Sequence, residues 1–212
     1  TLTHSSRVKN IEFRNIGPTI MSGRVVALEV NPQDPTKFYV AYASGGVWYT
    51  DNNGTSFQSI SDEWPTQNIG EIAMDWGNGT LWVGTGENVG GRHVGDGDGI
   101  YKSENGGQTW SKKGLNNSEH ISKIIIRPNN SDVLWVASQG PLWSKGGDRG
   151  VYKTADGGKT WQRKLGDDEW IGATDLLIDS RNPDVLYAAT WQKHRNVAAH
   201  MGGGPGTLLY QS

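Results

Sequence analysis

Three stretches of this 212-residue chain hold side chains that could do chemistry. Residues 86–98 carry Glu87, Arg92, His93, Asp96 and Asp98 among glycines, residues 140–149 carry Trp143 and Arg149, and residues 191–200 carry Trp191, His194 and His200. Carboxylates and imidazoles can hydrogen-bond a polar ligand or move a proton. Arginine forks onto carboxylates and phosphates. Indole offers a flat apolar face for a sugar ring or a peptide side chain. Glycine lets a ligand approach the backbone closely. Glu87, Arg92, His93, Asp96, Asp98, Trp143, Arg149, Trp191 and His194 are therefore the ligand-binding candidates. Asp96-Gly-Asp98 offers hard oxygen ligands but lacks the longer spaced carboxylate pattern of a calcium loop. His93, His194 and His200 lack the spacing of a zinc site. No metal, cofactor or catalytic residue is assigned.

Such loops need a rigid frame, and an internal repeat supplies one. Similar twelve-residue units begin at Gly46, Gly99 and Gly150, a period of about 52 residues, the last two reading GIYKSENGGQTW and GVYKTADGGKTW. Apolar couplets keep the same beat at Phe38-Tyr39, Leu81-Trp82, Leu134-Trp135 and Leu186-Tyr187. In the third unit, strands are expected over about 121–127, 133–138, 150–154 and 160–165, each bounded by Asn, Asp, Gly or Pro. Four strands in a repeat of this length describe a blade of a β-propeller.

The expected fold is all-β, with four-stranded antiparallel blades at roughly 20–60, 69–115, 121–165 and an incomplete 171–212. Together they form part of one propeller domain. Residues 11–16 resemble a fourth strand, with Phe13 in the tryptophan place, and are expected to close the ring. Leu209-Tyr-Gln-Ser212 matches the start of another unit, so the native protein is expected to continue and supply further blades. All three chemistry-bearing stretches are placed as loops between second and third strands, on one rim.

The repeated corner has its own physics. Asp156, with Asn105 and Asn52 in the other copies, is expected to accept N–H groups of its own turn. Gly107 and Gly158 supply positive φ. Trp110 and Trp161 are expected to cover the turn as apolar lids. Exchange of Asp for Asn keeps the acceptor and loses the charge, which points to a structural role.

Composition agrees. Ten Trp and 30 Gly with 34% hydrophobic residues suit short strands and tight turns. Twenty basic against 22 acidic residues leave no basic excess for nucleic acid. The absence of cysteine excludes disulfides and thiolate metal sites. No apolar run is long enough to span a bilayer.

The corners resemble the Asp-box, or bacterial neuraminidase, repeat. With Ile16-Gly-Pro-Thr-Ile-Met-Ser-Gly-Arg24, Ala43-Ser-Gly-Gly-Val-Trp48 and Val83-Gly-Thr-Gly-Glu-Asn88, the chain from about Phe13 onward resembles large exported bacterial proteins of the sortilin-type or glycosyl-hydrolase-like repeat class. The resemblance implies a secreted, periplasmic or outer-surface location. It also implies binding of a protein, peptide or glycan, or complex assembly, without catalysis. The alternative it implies is a polysaccharide-active glycoside hydrolase related to two-propeller xyloglucanases, its cleft completed by another domain. In those enzymes the first catalytic aspartate precedes a Gly-Gly pair by two residues, and here that position is Ala43. Sialidase activity is disfavoured because the Arg-Ile-Pro motif is interrupted at Arg14-Asn-Ile-Gly-Pro18.

Overall fold

The computed structural model describes residues 23–212; the expected ring-closing segment 11–16 lies outside them. Their regular structure is all β. The first sheet holds β1 (Val25–Val30), β2 (Phe38–Tyr42), β3 (Gly46–Thr50) and β4 (Gln58–Ser59). The second holds β5 (Ile69–Asp75), β6 (Thr80–Thr85), β7 (Ile100–Ser103) and β8 (Ser111–Lys112). The third holds β9 (Ile121–Arg127), β10 (Asn130–Ser138), β11 (Gly150–Thr154) and β12 (Gln162–Leu165). These three are antiparallel meanders with strands paired in chain order. The strands read from the third repeat coincide with β9–β12 to within three residues at each end.

The fourth sheet departs from this plan. It comprises β13 (Ile171–Asp179), β14 (Asn182–Arg195), β15 (His200–Gly202) and β16 (Leu209–Gln211). The amino-terminal half of β14 pairs with β16, and its last residues pair with β15. Residues 191–200 are thus a β-hairpin, which corrects their assignment as a loop. Lys193, His194 and Arg195 face Gly202, Met201 and His200 across it. The Asn196 side chain closes the turn by accepting the N–H groups of Ala198 and Ala199. An Asx turn without glycine, flanked by polar residues, carries no strong strand signal.

Each joint between successive sheets holds one apolar cluster. Tyr39, Ala41 and Val47 meet Ile69, Ile72, Leu81 and Val83. Trp82, Ala73 and Ile100 meet Ile121, Ile124, Leu134 and Val136. Trp135, Ala137 and Val151 meet Ala173, Leu176 and Ala188. The couplets now have a cause. Side chains alternate across a sheet, so Leu81 packs toward the first sheet while Trp82 packs toward the third, and Leu134 and Trp135 divide likewise. A strand buried on both faces must be apolar at consecutive positions. A polar chain runs between the innermost strands: Lys123 Nζ donates to Glu71 Oε2 at 2.6 Å. Burial, and then the Glu71 charge, push the Glu29 carboxyl up to about 7.

The repeated corners between third and fourth strands form a hydrogen-bonded knot. Asp156 Oδ1 accepts the backbone N–H groups of Lys159 and Thr160, both at 3.0 Å, and the Thr154 hydroxyl at 2.8 Å. Its Oδ2 accepts the Thr160 hydroxyl at 2.6 Å. Asn52 and Asn105 take the same place with one oxygen, accepting from Thr50 and Ser56 and from Ser103 and Thr109. Gly107 and Gly158 adopt φ of 93° and 79°, and their N–H groups reach the Ser103 and Thr154 hydroxyls. The tryptophans do more than cover the turn, which amends the lid expectation. Trp110 Nε1 donates to the Ile60 carbonyl and Trp161 Nε1 to the Lys113 carbonyl, each in the preceding repeat. Each indole therefore fastens its sheet to the one before.

This geometry sets a prediction. The Thr160 hydroxyl and N–H, with the Thr154 hydroxyl, hold the Asp156 carboxyl far below its ordinary value. A depressed folded-state value contributes stability above the unfolded value, near 4, that is lost as pH falls through the folded one. Asp156→Asn is expected to melt near wild type at pH 7, because Asn52 and Asn105 serve in sister corners, and to lose less Tm on acidification. Thermal melts from pH 7 to pH 3 check this; a parallel acid decline in both proteins would refute it.

Candidate functional site

In an antiparallel meander the connection from second to third strand and the connection to the next sheet emerge on the same face. That face gathers residues 86–99, 113–120, 139–149, 166–170 and the β14–β15 hairpin. The loop of the second sheet and the hairpin of the fourth meet directly. Arg195 Nη1 donates to the Gly91 carbonyl, and Arg92 Nη2 donates to the Val197 carbonyl at 3.4 Å. A Cβ on Gly90 would stand 2.9 Å from the Trp191 ring, so glycine permits this approach. Gln139 joins the three segments: its amide donates to Asn88 Oδ1, and its Oε1 accepts from Lys193 Nζ at 3.1 Å.

Exposed aromatic surface lies around this junction. Trp143 is 43% exposed, with the Arg195 guanidinium 5.1 Å from its ring centre. Trp191 carries Lys193 Nζ 4.5 Å from its ring and the His200 ring edge-on at 6.3 Å. His194 stacks on Trp170 with centroids 3.9 Å apart. Lys193 is buried, and burial with the Arg149 and Arg195 charges lowers its ammonium to about 8.

Not every candidate is free for a ligand. Arg149 is 2% exposed and donates to the carbonyls of Gln139, Pro141 and Ser144, so it holds its own loop. Asp98 accepts from Thr85, Tyr101 and Lys112. Burial acts to raise its carboxyl, but these hydrogen bonds outweigh burial and lower it. In this structure both are engaged within their own repeats. Glu87 is buried and ion-paired with Arg24. Arg92, His93 and Asp96 remain exposed on the rim. His194 and His200 lean on different tryptophans and do not form a metal cluster with His93.

Sequence reasoning missed Gln139, Trp170, Lys193, Glu119 and His120. One signal was available. Asn68, His120 and Trp170 each stand immediately before an Ile-Gly or Ile-Ser pair that opens a repeat. Each reaches the rim: Asn68 donates to the Asp96 carbonyl at 3.0 Å, His120 lies 3.4 Å from Asp96 Oδ1, and Trp170 meets His194.

No family model matches the chain. A xyloglucanase of Paenibacillus sp is 28% identical over 191 residues, 86% of this chain and 17% of that protein. A probable oligoxyloglucan-reducing end-specific xyloglucanase of Neosartorya fischeri is 25% identical over 171 residues, 76% of this chain and 19% of its own length. A vacuolar protein sorting/targeting protein 10 of Colletotrichum graminicola is 23% identical, over 77% of this chain and 12% of that protein. The chain thus spans less than a fifth of each of these relatives. Among solved structures, an ancestral GH74 enzyme superposes with a TM-score of 0.67 at 21% identity, covering 91% of this chain and 25% of that one. The GH74 xyloglucanase of Xanthomonas campestris gives 0.60 at 18%, covering 87% and 28%. YCF48 bound to D1 peptide gives 0.55 at 13%, covering 90% and 55%. Among the described residues no helix is long and apolar enough to cross a membrane. Taken with the four antiparallel sheets, these likenesses make the chain a run of β-propeller blades, similar over most of its length to a part of xyloglucanases.

Proposed function

We propose that this chain is the glycan-binding part of a longer polysaccharide-active protein related to xyloglucanases. The observation that carries the reading is the aromatic platform where three repeats meet, with Trp143 open to solvent beside Arg195 and the Trp191 hairpin. Flat apolar rings flanked by amides and cations suit a neutral polyhydroxylated ligand, which stacks its C–H face and hydrogen-bonds its hydroxyls. The two xyloglucanase relatives support the choice of ligand class.

Hydrolysis of a glycoside needs two carboxyl groups. Ala43, buried after β2, stands where the resemblance puts the first. The proposal therefore assigns binding to this chain and any cleavage to carboxylates elsewhere in the longer protein. An exported or cell-surface location is part of the same proposal, since such polysaccharides lie outside the cell.

Full-length protein is expected to be retarded in affinity electrophoresis gels containing xyloglucan or a related β-glucan. Trp143→Ala is expected to weaken that binding about five- to tenfold, the loss of one stacking partner of roughly 1 kcal/mol. Absence of retardation across a panel of neutral glycans would remove the reading.

A second reading, a non-catalytic protein- or peptide-binding propeller, draws on the peptide-bound YCF48 neighbour of the same fold. It predicts specific capture of an envelope protein that soluble glycan does not compete away.

A further inference from the structure

We infer that Asp96, Glu119 and His120 form a binding site for a divalent transition cation of the zinc class, on the same face but independent of the glycan platform. One ligand atom from each residue lies within 4.8 Å of the other two. The His120 Nε2 to Asp96 Oδ1 distance is 3.4 Å. A tetrahedral ion with bonds of about 2.0–2.1 Å needs ligand atoms about 3.3–3.4 Å apart, so that pair already has the required spacing. The Glu119 carboxylate, within 4.8 Å of the other two ligand atoms, has to close in by at most about 1.4 Å to reach the tetrahedral spacing.

His120 is the independent observation. It is fully buried, and neither ring nitrogen has a hydrogen-bond partner among the described residues. An imidazole sealed from water without a partner is costly, and such groups are rare in folded proteins. A cation that accepts the Nε2 lone pair relieves the part of that cost due to Nε2. A cation placed among the three would neutralise the like charges of the neighbouring Asp96 and Glu119 carboxylates.

The backbone arranges the three residues beforehand. Gly97 N donates to the Glu119 carbonyl at 2.7 Å, and Asn68 holds the Asp96 carbonyl. Glu119 sits at φ 51°, a left-handed conformation that non-glycine residues seldom adopt. Arg149 and Lys193 are the nearby positive groups; both act on His120. The Arg149 Nη groups donate to backbone carbonyls and Lys193 Nζ to Gln139. Their charges oppose the ion and weaken its binding. Asp96 is exposed, so a fourth position faces solvent and takes water. One imidazole and two carboxylates suit zinc, manganese or cobalt better than calcium, which prefers six to eight oxygens.

Cobalt(II) is the probe, because its visible spectrum reports coordination by nitrogen and oxygen. Titration of the full-length, chelator-treated protein is expected to saturate at one equivalent, with zinc displacing cobalt. Asp96→Asn, on the exposed side, is expected to keep the fold by circular dichroism and weaken cobalt binding about tenfold or more. His120→Gln is expected to abolish the spectrum, and Arg92→Ala, on the same loop, to leave it intact. No saturable spectrum up to millimolar cobalt, or equal binding by wild type and Asp96→Asn, overturns the proposal. Weakened glycan binding by Trp143→Ala with the cobalt spectrum retained separates this site from the platform.

Discussion

Gly86→Ala is expected to lower the melting temperature by about 10 °C or more, or to prevent folding. Gly86 follows β6 at φ 86°, in the left-handed region. A Cβ there would run into the Glu119 carbonyl oxygen and lie 2.8 Å from Gly97 N. Both obstacles are backbone, so neither can rotate away. The left-handed conformation alone costs a non-glycine residue about 1–3 kcal/mol. The clash adds enough to exceed about 4 kcal/mol, and about 2–4 °C is lost per kcal/mol in a domain of this size. Gly79→Ala is the control: its φ is 78°, yet a Cβ meets nothing within 4 Å. If the two variants melted within about 3 °C of each other, the close approach of residues 86 and 119 would be wrong. The same substitution should move the candidate cation site, because Gly86 is where the second and third repeats touch.

Trp82→Ala is expected to destabilise the protein by about 3–5 kcal/mol, the usual cost of emptying a tryptophan site in a core. The indole is fully buried between the second and third sheets, touching the cluster of Ile121, Ile124, Leu134 and Tyr152. Lys102 Nζ lies 5.4 Å from its ring centre, and a Cβ on Gly158 would stand 2.9 Å from its outer edge. Its Nε1 has no hydrogen-bond partner among the described residues, so the ring works by packing and by its face toward Lys102 rather than by its N–H. Trp82→Phe should therefore cost much less, about 1.5 kcal/mol, through the smaller volume. Urea unfolding of both variants measures the difference. A Phe variant as damaged as the Ala variant would mean that the indole N–H has a partner.

Much of the architecture was legible in the chain. The Gly-Gly corners and apolar couplets repeat at one period, and short-range rules fix what each does: glycine takes positive φ, a small polar oxygen collects N–H groups, and alternation sends neighbours to opposite faces. Those rules act within about ten residues, so strands β9–β12 could be drawn before any coordinates. The hairpin at residues 191–202 could not, because its pairing is between polar residues whose partners nothing local specifies.

The site divided in the same way. Sequence singled out three segments with chemistry-bearing side chains, and all three reach one face. Which of those side chains are exposed and which are engaged within the protein depends on tertiary contact. Arg149 and Asp98 look like ligand-binding groups, yet the Nη groups of Arg149 and the carboxylate of Asp98 are engaged within the protein. His120, which the repeat pattern did not single out, is fully buried and has no hydrogen-bond partner among the described residues. The partners of Arg149 and Asp98 lie within their own repeats but on neighbouring strands and loop backbone, whereas the approach of His120 to Asp96 and the contacts of Lys193 with Gln139 and of Arg195 with Gly91 join residues of different repeats. Both depend on how the chain folds back in space, which side-chain type and spacing do not encode.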